Sequence, residues 1–124
     1  VVAVFGGAGA LVYYRRRLHR THPDGIECSL RVVEGSIPGL STRWRGGFAR
    51  FHDGTMTWTR WWVPARPVEI QVEPFASTER AVHGAEAWIV SRNCVVRTYS
   101  TGRARIEIAL LPERTAVLDR GLAG

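Results

Sequence analysis

Three features of the sequence predict a mainly β chain. Apolar and polar residues alternate in short runs, as where Ile26, Cys28, Leu30 and Val32 are interleaved with Glu27, Ser29 and Arg31. A period of two is the mark of a strand with one buried face. Asp53-Gly54 separates two longer extended runs, and this pair supplies the positive φ angles of a two-residue hairpin turn. Glycine and proline recur between the runs, so no run grows beyond strand length. Together these predict a small antiparallel seven-stranded sandwich or partly open barrel with a C-terminal helix, following an N-terminal transmembrane helix.

The first segment, Val1 to Tyr14, holds no charge and runs directly into Arg15-Arg16-Arg17-Leu18-His19-Arg20. An apolar run with a cationic stop reads as the end of a membrane span, and arginine flanks favour the cytoplasmic side. Fourteen residues cover about 21 Å as helix, short of the roughly 30 Å of hydrocarbon. Residues 1–20 are therefore expected to be an N-terminally incomplete transmembrane helix with its basic flank, 21–25 a linker, and 26–124 one cytoplasmic β domain. Ala3 and Gly7, like Gly6 and Ala10, have a spacing that packs membrane helices together. A signal peptide would carry its charge before the apolar run. A dinucleotide-binding unit would need G-x-G-x-x-G and an amphipathic helix, where this chain has Gly6-Gly7-Ala8-Gly9 and Tyr13-Tyr14-Arg15.

The strands follow in order. Ile26 to Val32 is the first, and Gly35, Pro38 and Gly39 make 34–41 a loop. Extended structure resumes over Thr42 to Phe51, with Trp44, Gly46 and Phe48 on one face, and pairs across Asp53-Gly54 with Thr55 to Val63. In the second arm Met56, Trp58 and Trp62 share a face and Trp61 points to the other. Pro64 and Pro67 bracket a corner before Val68, Ile70 and Val72. Phe75 to Val82 is a further strand, then Glu86 to Arg92 and Cys94 to Ser100 read as one long extended stretch kinked near Asn93. Ser100-Thr101-Gly102 turns into a last strand whose Ala104, Ile106, Ile108 and Leu110 face in and whose Arg103, Arg105 and Glu107 face out. Pro112 suits a first helical turn, so 112–122 is the closing helix.

The net charge of +6 and pI near 10.6 suggest nucleic acid until the charges are placed. Four of the 17 cationic residues are Arg15, Arg16, Arg17 and Arg20; the 13 that remain face 11 acidic residues, a net of +2 over residues 21–124. The excess belongs to the membrane flank, where it attracts anionic headgroups, and no nucleic-acid partner is expected. All 17 are arginine, which fits the codon usage of a GC-rich genome. Cys28 and Cys94 are expected to be reduced, buried side chains, and their spacing to the histidines suggests no metal or cofactor.

Several of these residues carry a resemblance. Arg16-Arg17-Leu18 after an apolar segment, Gly25-Ile26-Glu27-Cys28-Ser29-Leu30-Arg31, Trp44-Arg45-Gly46-Gly47-Phe48-Ala49-Arg50-Phe51, and Asp53-Gly54, Trp58, Arg60 and Arg66-Pro67 resemble the actinobacterial domain-of-unknown-function 2550 family over nearly the whole chain. The resemblance implies a short protein with one N-terminal membrane helix at the cell membrane, and no activity to carry over. Family members continue through a longer apolar, Trp-bearing helix where this sequence stops at Gly124. In outline the chain is also similar to the pleckstrin-homology-like superfold, with seven strands and a terminal helix. Lipid-binding members of that superfold clamp headgroup phosphates with basic residues at the end of the first strand and the start of the second. That similarity implies a lipid- or phosphate-binding role for Arg31, Arg43 and Arg45, in keeping with the bidentate chemistry of arginine and phosphate. Solvated arginines on a polar strand face are the plain alternative.

No convergent catalytic set stands out, since His19, His22, His52 and His83 all fall in flank, linker or turn positions. Trp58-Thr59-Arg60-Trp61-Trp62 offers another surface: Arg60 and Trp61 together suit an interaction patch, because both residue types are enriched where interfaces concentrate energy. Two binding roles are therefore expected ahead of an enzyme with an unseen site. The first is a membrane-anchored interaction domain that recruits a protein partner; the second is a reader of anionic lipids.

Overall fold

A computed structural model describes Tyr13, Arg16, Arg17, Arg20, Thr21 and residues 24–61, 66–102 and 104–124. Most of the expected transmembrane segment, together with His19, His22 and Trp62, lies outside the described residues. Among those described, no helix is long and apolar enough to cross a membrane.

The chain forms one antiparallel seven-stranded sheet, curled into a half-barrel, and a C-terminal helix. Its strands are β1 (Ile26–Glu34), β2 (Arg45–His52), β3 (Thr55–Arg60), β4 (Val68–Gln71), β5 (Thr78–Ala81), β6 (Val95–Thr101) and β7 (Ala104–Leu110). They lie in the order β4-β3-β2-β1-β7-β6-β5, so β1 is central and the two edge strands are consecutive in the chain. The segment joining those edges bonds back to the sheet, with Glu73 N–H donating to the Ser100 carbonyl at 3.0 Å and Ser77 N–H to Thr98 at 2.8 Å. Asp53 and Gly54 take φ of 51° and 79°, the left-handed pair that the β2–β3 turn demands. The register runs from His52 opposite Thr55 to Gly47 opposite Arg60.

The concave face holds the main core: Ile26, Leu30, Ala49, Met56, Trp58, Ile70, Tyr99, Ile106 and Ile108 are essentially sealed from solvent. Pro112–Arg114 forms a 3-10 turn and leads into α1 (Thr115–Ala123), which lays Leu118 and Leu122 on this core. The helix comes close enough to the β2–β3 hairpin that a β-carbon at Gly121 would run into the Phe51 ring. Only glycine permits that approach.

The convex face corrects two expectations. Residues 86–92 are not extended: Gly84–Trp88 is a 3-10 turn, and the segment from Val82 to Cys94 folds across the back of the sheet. Glu107 has the outward parity expected of it, yet it is only 6% exposed, because the guanidiniums of Arg31 and Arg80 lie on it. Val82, Val90 and Cys94 there form a second small core with Trp44, Val96 and Ala109.

Candidate functional site

Antiparallel register divides the half-barrel into two ends. At one end lie the start of β1, the Asp53-Gly54 turn and the start of β6. At the other lie the β1–β2 loop, the connection from β3 to β4 and the β6–β7 turn. The second end gathers arginines. Arg45 opens β2 opposite Leu30, and Arg60 closes β3 opposite Gly47, so the two are diagonal neighbours at about 7–8 Å. Arg43 precedes Arg45 by two residues, and Arg66 precedes Val68, the partner of Trp58, by two. Among the described residues no carboxylate pairs with any of these four. The Arg45 Nε is sealed from solvent with no hydrogen-bond partner, a donor left without an acceptor. Nearby Arg105 is paired with Glu34 at 3.6 Å.

Arg31 belongs elsewhere. Cross-strand partners share a face, so Arg45 follows Leu30 to the concave side and Arg31 points to the convex side. There its Nε donates to Glu107 Oε1 at 2.8 Å, and its Nη2 reaches Glu107 at 2.6 Å and Glu86 at 3.3 Å. Arg80 of β5 completes the group, holding Glu86 through Nη1 at 2.7 Å and Nη2 at 2.9 Å, and Glu107 through Nη2 at 3.0 Å. Trp44 donates its indole N–H to Glu86 at 3.0 Å, and the Arg31 guanidinium stacks 4.8 Å over the same ring. Hydrogen bonds from Arg80, against the opposing effect of burial, draw the Glu86 pKa down to about 2. Arg31, Arg43 and Arg45 therefore do not form one clamp.

The other predicted residues also have definite places. Trp61 does lie on the opposite face from Trp58, but it is 8% exposed, its ring 6.0 Å from Phe48 and against Gly46. Its indole is packing, not open surface. Arg60 is half-buried. Cys28 and Cys94 are free thiols, and burial pushes the Cys28 pKa up to about 12 and raises that of Cys94. Neither is activated for nucleophilic work. His52 is exposed beside Asp53 at 3.2 Å, and among the described residues no three His, Cys, Asp or Glu side chains converge as metal ligands. Of the flank, Arg16, Arg17 and Arg20 are described and Arg15 is not. No sign of a site role for Arg66, Arg80, Glu86 or Glu107 was legible in the sequence. The parity of Glu107 against Arg31 was readable, but their pairing depends on β1 lying beside β7.

Comparison with family models, with curated proteins and with solved structures gives no match.

Proposed function

We propose that this protein is a membrane-tethered interaction domain that recruits an acidic protein segment to its arginine end. The observation that carries this reading is the set Arg43, Arg45, Arg60 and Arg66, gathered where β1 ends and, among the described residues, unpaired by carboxylates. The chain reaches β1 from the basic flank at the opposite end. Nine residues of β1 separate the two ends by about 30 Å, whereas the five residues of 21–25 extend at most about 17 Å. A domain held so closely turns its arginines away from its own bilayer and towards the cytoplasm. Tethering raises the local concentration of whatever binds. The membership in the domain-of-unknown-function 2550 family, the N-terminal transmembrane helix and the cytoplasmic address belong to this proposal. It is a non-catalytic role.

A second reading is favoured by one feature, the sheet order with β1 between β2 and β7 and a helix closing the opposite end. That outline suits a pleckstrin-homology-like domain, in which the same arginines would take an anionic lipid headgroup. One experiment tests both. The chain, held in neutral-lipid nanodiscs, is titrated with a hexaglutamate peptide and, separately, with vesicles rich in anionic lipid, over a salt series. Salt-sensitive peptide binding that disappears on reversing Arg45 and Arg60 to glutamate is the expected result. Binding to anionic vesicles alone would replace the first reading with the second, and binding to neither would remove both.

A further inference from the structure

The convex-face charge group is built as a receptor with its ligand already in place. Four donors converge on the Glu86 carboxylate from separate parts of the fold: two Arg80 nitrogens from β5, one Arg31 nitrogen from β1, and the Trp44 indole ahead of β2. Arg31 and Arg80 also have partners besides Glu86. Glu107, on β7, separately holds Arg31 by Nε and Nη2 and Arg80 by Nη2, and Arg31 is further fixed by its stack on Trp44. Glu86 itself comes from the five-residue Gly84–Trp88 turn, which adds only its own His83 N–H, at 3.0 Å. The neighbours His83, Gly84 and Ala85 are exposed, and Val82, Val90 and Cys94 are the apolar anchors of the segment. With Glu86 in place the two arginines and two glutamates are neutral together; with it withdrawn the cradle carries one positive charge, the Trp44 indole N–H loses its acceptor, and among the described residues the two arginines keep as acceptors only Glu107 and the Ala81 carbonyl. Partial exposure of Arg31, Arg80 and Glu86, at 29%, 24% and 13% of their side chains, leaves it within reach of solvent.

We infer that Arg31, Arg80 and Trp44 form a carboxylate-binding cradle, with Glu86 as its internal occupant, and that a carboxylate from outside the chain can take the same place. The ligand class is a carboxylate, from an acidic side chain or a chain terminus. The cradle is separate from the arginine end and stands whether or not that end binds anything. An internal ligand competes at high effective concentration, so the cradle shows itself when Glu86 is removed.

The test is chemical rescue in the full chain. Glu86→Ala should lower the melting temperature, and sodium acetate should raise it again by about 4 °C or more over sodium chloride at equal ionic strength. In Arg80→Ala/Glu86→Ala, and in the wild type, that acetate-specific rise should be absent. If Glu86→Ala does not fold, Glu86→Gln takes its place, with a smaller acetate-specific rise of about 2 °C, because the carboxamide must first be displaced. Acetate acting no better than chloride on whichever variant folds, or acting equally on the double variant, would overturn the cradle.

Discussion

The two faces of this sheet are buried by different means. Under α1 the concave face is closed with aliphatic and aromatic side chains, and its cohesion is non-directional. On the convex face the Val82–Cys94 segment is held by a few apolar contacts and by a group of two arginines and two glutamates. Such a group demands geometry: each member is tolerable only while the others are in place. The difference teaches that one face can lose a methyl group gradually, while the other fails when one charge is removed.

The largest effect should therefore come from the convex face. Glu107→Ala leaves Arg31 and Arg80 partly buried without their shared carboxylate, and should cost about 3–5 kcal/mol in urea unfolding. A loss below 1 kcal/mol would break the comparison. On the concave side Leu118→Ala, from a fully buried site, should cost about 2–4 kcal/mol and leave the convex ion pairs intact. Gly121→Ala pushes the helix off Phe51, and about 1–3 kcal/mol of overpacking is expected in the same assay.

Acid should separate the faces more finely. The folded pKa of Glu86, near 2, lies below its ordinary 4.5, so its contribution is full above about pH 4.5 and lost as pH falls towards 2. On the order of 2–3 kcal/mol is involved. The wild type should lose that much stability relative to Glu86→Gln between about pH 6 and pH 2, and parallel pH profiles would contradict it. The smallest change is expected at the exposed Arg105–Glu34 pair, where Glu34→Ala should move the melting temperature by no more than about 0.2–1 kcal/mol allows.

Much of the concave face was legible in the sequence because its signals are local. Alternation at Ile26 to Val32 and Ala104 to Leu110 marks the buried side of each strand, Asp53-Gly54 fixes the hairpin, and Pro112 opens the closing turn. The convex face was not legible in the same way. Nothing near Glu107 tells that Arg31 and Arg80, 76 and 27 residues upstream, will close over it, so parity alone assigned it to solvent. Residues 86–92 misled for a related reason: Ile89 and Val90 look like strand, but the Glu86 bonds to Arg80 and to the His83 N–H accompany a turn there. Trp61 illustrates the limit for aromatics, since its face was readable and its burial depended on Phe48 and Gly46 across the strand pair. For the candidate site, Arg43 and Arg45 came from the resemblance to the pleckstrin-homology-like superfold and Arg60 from its place beside Trp61, while their separation from Arg31 emerged only from register.

The central position of β1 bears on how the chain is made. Arg31 and Glu107 are joined across β1 and β7 yet stand 76 residues apart. Strands β2 to β4 and β5 to β7 can each zip up as local meanders, but β1 must close a long loop before its second edge is satisfied. Of the strands β1 leaves the ribosome first and β7 last, so β1 waits with one edge open until β7 is made. That strand is the segment on which a chaperone, or a misplaced neighbour, would act before the half-barrel is complete.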